Sequence, residues 1–329
     1  MSMSRTPLYI DLGSSNTRIF QGDTSIFVEP SCLVLKDGQT RFIGQKASEL
    51  LGKVPAPLEL IFPVRYGQVD DQTKAKQFLQ AIDNDHLARS WWQSWRGRSG
   101  YALVQASASK VEKERLHKVL RSVWAGSWQL VKRPLAILSS IESQVPSSDT
   151  ICLIDIGGQT TELSLLMSGQ VVLSTVVEWG GVELTELIQK QIWSQFESAV
   201  SWQTAEQIKR EQVLLSTNTT KTSGRTTVRG KDIVRQVGTT TVVEMAKISP
   251  VIEKQVDSLV DEIKLFISQA SSQLTGGLVD SGLWLTGGGS LLQGLKEMLS
   301  ERLRYPVKIT PNPELDAIFG LRMQKFGEI

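Results

Sequence analysis

Two stretches of this chain repeat one another. DLGSSNT at residues 11–17 and DIGGQTT at 155–161 both read Asp-apolar-Gly-x-x-x-Thr. Each follows an apolar run, LYIDL in one case and ICLIDI in the other, and each leads into a second run, TRIF and ELSLLM. The pattern is strand, tight turn, strand. One such match would carry little weight. Two in the same context predict a chain built from two related halves.

The rest of the chain is consistent with this. Helical spacing of apolar residues is present over 71–88 (Ala75, Phe78, Leu79, Ile82) and over 182–198 (Leu184, Ile188, Ile192, Phe196). Ser109 and Glu112 form a capping box for a helix over 109–125. Pro134 is placed to start a short helix through Ile141, and Ser249-Pro250 to start a long one. A strand at Leu283–Thr286, a turn at Gly287-Gly288-Gly289 and a helix from Ser290 to Leu303 close the pattern. The Thr- and Ser-rich segment 216–230 reads as a loop or an exposed hairpin. Strands alternating with helices in both halves predict two α/β domains with a cleft between them, and ligands in such folds bind at the carboxyl ends of strands.

The turns lie at those strand ends. Gly13, Ser14, Ser15 and Asn16 offer main-chain N–H groups and two hydroxyls, and Gly157 and Gly158 offer N–H groups from the other half. Such turns make concavities that bind anions, phosphate in particular. Asp11 and Asp155 are expected to face each other across the cleft and to hold the waters of a Mg²⁺ ion. Gly287, Gly288 and Gly289 are expected to open a helix N-terminus and let a base or ribose approach the backbone.

Composition removes several alternatives. Apolar residues make up 40 % of the 329 and charged residues 21 %, enough for a sizeable core. A net charge of +2 gives no whole-molecule argument for nucleic acid. The two cysteines, Cys32 and Cys152, lie in apolar runs and read as reduced core thiols of a cytosolic protein, and with two scattered histidines they form no metal constellation. No signal peptide opens the chain, and no apolar run is long enough to span a bilayer.

These motifs also carry a resemblance. YIDLGSSNTRIF (9–20), EPSCLVL (29–35), IGQKASELLGKVPAPLELIFPVRYGQVDD (43–71), DIGGQTTELSLL (155–166), TAEQIK (204–209) and LTGGGSLLQGL (285–295) stand in the order and spacing of the actin/heat-shock-chaperone/sugar-kinase superfamily. Within it the chain resembles the MreB-like bacterial actins. The resemblance implies an actin-like ATPase fold: two duplicated lobes, each with a central mixed sheet flanked by helices, around a nucleotide cleft. It divides the chain into a first lobe at 1–148, with a small subdomain at about 31–67, and a second at 149–312, with a small subdomain at about 186–248. A C-terminal helix at about 313–329 completes the first lobe. It implies ATP with Mg²⁺ as ligand and assigns Gln159 and Thr160 to the phosphates and Glu206 and Lys209 to the ribose or adenine. It further implies a homopolymer at the cytoplasmic face of the inner membrane, working with cell-wall or shape-determining membrane proteins.

The chain departs from the family in three places. Arg133-Pro134 stands where MreB-like proteins carry Glu-Pro, and that glutamate positions or activates the attacking water. Arginine has five donors and no acceptor, so it cannot do this, though it can pair with a phosphate. Gln159 replaces a third glycine. Gln105-Ala106-Ser107 replaces Pro-x-Gly. Two readings follow, slow hydrolysis and loss of nucleotide binding, and slow hydrolysis is favoured.

A last segment, ARSWWQSWRGR at 88–98, holds Trp91, Trp92 and Trp95 with Arg89, Arg96 and Arg98 and no acidic residue. In MreB-like proteins this place holds a membrane-inserting loop. Tryptophan suits the membrane interface, and arginine suits anionic headgroups. A partner protein, or packing within the chain, is the competing reading. Trp124, Trp128 and Trp193 sit by apolar faces and are expected in the core. Three functions remain: a membrane-associated filament protein with weak ATP hydrolysis, a small-molecule kinase for which no catalytic base is evident, and a non-hydrolysing nucleotide-binding membrane adaptor.

Overall fold

The computed structural model describes residues 6–87, 97–145, 150–215 and 224–324. In the first half, β1 (Leu8–Leu12), β2 (Asn16–Gln21) and β3 (Thr24–Pro30) form an antiparallel meander. A small sheet follows, from β4 (Leu33–Lys36), β5 (Gln39–Ile43) and β6 (Leu58–Ile61), with helix α1 (Gly44–Ser48) beside it. The hairpin β7 (Val64–Arg65) and β8 (Gln68–Val69) leads to α2 (Gln72–His86). Then come β9 (Gly100–Val104), α3 (Lys110–Val123), β10 (Trp128–Lys132) and α4 (Arg133–Ile141).

The second half repeats the plan. β11 (Thr150–Ile156), β12 (Thr161–Met167) and β13 (Gln170–Val177) are again an antiparallel meander. Helix α5 (Gly181–Phe196), the short β14 (Ser198–Ala199), α6 (Trp202–Glu211) and the hairpin β15 (Arg225–Asp232) with β16 (Gly238–Glu244) form an inserted unit. Helices α7 (Met245–Ser268) and α8 (Ser272–Ser281) return the chain to β17 (Leu283–Thr286), α9 (Leu295–Leu303), β18 (Val307–Ile309) and α10 (Asp316–Met323).

The sheets run β10-β9-β1-β2-β3 and β18-β17-β11-β12-β13. In each, the strand that precedes the doubled turn pairs antiparallel with the next strand and parallel with a later one. The repeat read in the sequence is therefore a repeat of topology.

Each sheet buries one face under its own helices. A third core lies between the lobes, where Tyr101 and Leu103, Ile137 and Ile141, Leu153 and Trp284, and Ile318 and Leu321 are all buried. Helix α10 closes this core against α4 so tightly that a Cβ on Gly320 would overlap the Ala136 carbonyl oxygen. Arg322 fixes its far end, donating from Nε to the Gly22 carbonyl at 2.9 Å and stacking over Phe20.

Three sequence expectations need correction. The long helix starts at Met245, and Pro250 lies inside it. Met245, Ile248 and Ile252 extend the buried stripe past the proline, so burial outweighs the one main-chain bond that proline removes. The helix expected from Ser290 is interrupted: Gly288–Leu291 is a single 3₁₀ turn, and the helix begins only at Leu295. The segment after α6 causes this, since Leu215 N–H donates to the Gln293 carbonyl at 2.9 Å and crowds Gly294. Trp193 is 54 % exposed, because it follows Ile192 off the buried face of α5. Trp124 and Trp128 are buried as expected, as are the free thiols Cys32 and Cys152.

Candidate functional site

The doubled turns close in the same way. Gly13 N–H donates to the Asn16 carbonyl at 3.1 Å, and Gly157 N–H to the Thr160 carbonyl at 2.8 Å. A side chain at Gly13 would meet the Asn16 oxygen at 2.7 Å, so the turn excludes one. The threonine that ends each motif is fully buried and pins its turn: Thr17 Oγ1 shares a hydrogen bond with Ser31 Oγ at 2.8 Å, and Thr161 Oγ1 donates to the Trp179 carbonyl at 2.8 Å. Ser31 also donates to the Gly13 carbonyl at 2.6 Å. The two turns meet tip to tip, and a Cβ on Gly158 would overlap Ser15 Oγ.

Behind the tips lies a cleft of about 1210 Å³. Ser14, Ser15 and Asn16 line one wall, with Gln159 and Thr160 opposite and Gly287, Gly288 and Gly289 at the far side. These glycines have a packing reason: a Cβ on Gly287 would overlap Asp155, and one on Gly289 would overlap Ile156. Gly287 leads into the 3₁₀ turn, so the glycines do not open a helix N-terminus as expected.

Glu206 and Lys209 line the cleft on α6 and are already engaged. Lys209 Nζ donates to Glu206 Oε2 at 2.6 Å, to Thr185 Oγ1 at 2.9 Å and to the Gly181 carbonyl at 2.7 Å. Burial pulls the Lys209 pKa below its ordinary value, and the Glu206 carboxylate only partly offsets this. Arg210 ties Glu206 to Glu314, at 3.2 Å on each side.

At the cleft floor Asp11 and Asp155 do come together, but around Arg133. Arg133 donates to Asp11 through both terminal nitrogens, Nη1 to Oδ2 at 3.2 Å and Nη2 to Oδ1. Its Nε lies 3.7 Å from Asp155 Oδ2, and Arg18 adds a second guanidinium 3.4 Å from Asp11 Oδ2. Burial by itself would raise the Asp11 pKa, but the Arg133 and Arg18 charges outweigh it and hold the carboxyl below its ordinary range. Asp155 is held above that range by burial, which Arg133 offsets only in part. The expected Mg²⁺ role does not fit these residues, because a guanidinium already lies between the carboxylates that would hold the metal's waters.

The register explains what the sequence reading missed. Asp11 pairs across the strands with Arg18, and Asp155 with Glu162. These partners occupy the same position of the repeat, one residue after the motif threonine, and aligning the halves one residue further would have found them. Glu162 is buried, accepts from Ala106 N–H at 2.6 Å through Oε1, and has no partner at Oε2. Burial pushes its pKa up to about 7. Gln159 lines the cleft but its side chain is engaged: its Oε1 accepts from Tyr66 N–H at 2.9 Å on the opposite lobe. Gly180 and Gly181 were also missed. A Cβ on Gly180 would overlap the Gly158 carbonyl, so this glycine lets α5 dock under the second turn, where Gly181 and Val182 N–H donate to the Gly157 and Gly158 carbonyls at 3.1 and 2.7 Å.

Of the residues expected at a membrane, Trp91, Trp92, Trp95 and Arg96 lie outside the described residues, as does Arg89. Arg98 does not serve as expected. Its side chain is 14 % exposed and pairs with Asp83 at 3.3 Å, so it is not presented to solvent. Among the described residues no helix is long and apolar enough to cross a membrane.

Two sheets of one topology, closed over a shared cleft by matching turns, define a two-lobed protein with the actin-like fold. The same architecture is found in MreB5 of Spiroplasma citri bound to AMPPNP, with a TM-score of 0.87 at 21 % identity over 97 % of this chain and 96 % of that one. The MamK double helical filament matches with a TM-score of 0.77 at 17 % identity, over 96 % and 98 %. The sequence matches the family described as MreB/Mbl protein over residues 5–326, and the chain belongs to that family. Its relatives include the cell shape-determining protein Mbl of Bacillus subtilis, 25 % identical over 92 % of this chain and 91 % of Mbl. The cell shape-determining protein MreB of Escherichia coli is 25 % identical over 94 % of this chain and 90 % of MreB.

Proposed function

We propose that this chain binds an adenosine nucleotide in its cleft and polymerises into membrane-associated filaments that organise cell shape and cell-wall synthesis. The observation that carries the reading is the pair of matching turns that meet at Ser15 and Gly158 at the head of the cleft. Support comes from the cell-shape names of Mbl and MreB, from MreB5 bound to AMPPNP and to ADP, and from the MamK filament. On this reading Gly13 to Asn16 and Gly157 to Thr160 face the phosphates, and Glu206, Lys209 and Gly287 to Gly289 face the nucleoside. The chain divides near residue 148, and α10 returns to the first lobe, as its packing on α4 favours.

Hydrolysis on this reading is weak. Arg133 stands at the family's glutamate position, offers no acceptor for a water proton, and is tied to Asp11. The same observation keeps a second reading alive, a non-hydrolysing adaptor that does not form long filaments. Trp91, Trp92, Trp95 and Arg96 are the proposed anchor to the inner membrane, and many weak anchors on one filament add up. Membrane-bound shape-determining or cell-wall proteins are the proposed partners.

Electron microscopy of the purified chain with ATP, ADP or no nucleotide, with and without anionic vesicles, tests this. Nucleotide-dependent filaments on vesicles are expected. Vesicle-bound monomers under every condition would favour the adaptor, and transfer of phosphate to a metabolite would replace both readings with a kinase.

A further inference from the structure

We infer that Arg133 is a resident cation that takes the place of a divalent metal, so that the cleft binds nucleotide phosphates without Mg²⁺. The inference rests on the nucleotide reading above and adds to it the form of nucleotide that is recognised.

A magnesium ion enters a phosphate site through its waters and one or two free carboxylates. Here Asp11 is fully engaged and Asp155 is ion-paired. Both oxygens of Asp11 are taken by the Arg133 fork, and Oδ2 is shared with Arg18. Asp155 Oδ2 faces Arg133 Nε. Two carboxylates and two guanidiniums sum to zero, so this quartet holds no excess negative charge to attract a dication. Glu162 and Asp316 lie nearby, and each is held by a main-chain N–H, from Ala106 and Asn312, which fixes its position but leaves its charge in place.

The arginine is built into the fold. It is the first residue of α4, directly before Pro134, and α4 is clamped by α10 at Gly320. Its side chain is 18 % exposed, and that remainder lines the cleft. Guanidinium carries five N–H groups. Two donate to Asp11 and Nε lies 3.7 Å from Asp155, which leaves one hydrogen on each terminal nitrogen for a phosphate oxygen. A fixed guanidinium in a cleft lined by two glycine turns suits an anion, and it would receive the nucleotide as its metal-free anion.

The test is ATP binding to the full chain, by calorimetry, in excess EDTA and in millimolar Mg²⁺. Affinity in EDTA is expected to equal or exceed that in Mg²⁺. Weakening by about tenfold or more in EDTA would overturn the inference and leave the nucleotide reading standing. No binding in either buffer would remove that reading, and this inference with it. Arg133→Glu then places three carboxylates together, and its ATP binding is expected to require Mg²⁺. Arg133→Gln, which adds no charge, is the milder variant should the first fail to fold, and it is expected to weaken metal-free binding by about tenfold. Metal-free binding unchanged in Arg133→Gln would also refute the assignment.

Discussion

Glu162→Gln should change how stability depends on pH. Glu162 is 4 % exposed, and its carboxyl pKa is raised from 4.5 to about 7 by burial. The folded state therefore keeps this proton between those values while the unfolded state releases it. The stabilisation is fully present below the unfolded value and is lost as pH rises through 7. A gap of about 2.5 units at 1.36 kcal/mol each is about 3 kcal/mol, most of it lost between about pH 5 and about pH 8. Glutamine does not titrate and can still accept from Ala106 N–H through its oxygen. Relative to wild type, the variant should gain roughly 2–3 kcal/mol on going from the lower pH to the higher, read from denaturant midpoints at both. Asp155 also has a raised pKa, but both proteins carry it, so to first order it drops out of the difference. A difference that stays constant within about 0.5 kcal/mol across that range would refute the account of Glu162 as a buried carboxyl without a counter-charge to spare.

Other perturbations test other joints. Gly320→Val places a side chain into the Ala136 carbonyl and should cost about 2–3 kcal/mol, seen as a lower Tm; an unchanged Tm would mean that α10 does not clamp α4. Gln159→Gly removes the bond from Tyr66 N–H across the cleft, and exchange of the Tyr66 amide should speed up about fivefold, as expected for roughly 1 kcal/mol. Unchanged exchange would show that the two lobes are not latched there. Replacing Trp91, Trp92 and Trp95 together with Ser should abolish sedimentation with anionic vesicles, and full retention would eliminate the proposed anchor.

Much of the architecture was legible in the residues, because local rules dictate it. The doubled turn, the capping box at Ser109 and Glu112 on α3, and the apolar stripes on α2 and α5 depend on neighbours a few residues apart, which a sequence displays directly. Where the reading failed, a distant segment intervened. Leu215 stops the helix expected from Ser290, and burial of Met245 and Ile248 carries α7 through Pro250.

The site divides along the same line. The sequence determined that glycine turns and two aspartates would converge from two halves, because motifs with the same Asp, Gly and Thr spacing fold into matching turns. It also marked Arg133 and Gln159 as departures. Only the tertiary structure decided what those side chains do. Arg133 lies on a helix far along the chain from Asp11, and whether its charge meets a phosphate or a carboxylate depends on distances that a sequence does not contain. Charge interactions act through space and fall off with separation and burial, so the packing of α4 between the lobes turned an arginine into the counter-ion of the two acids.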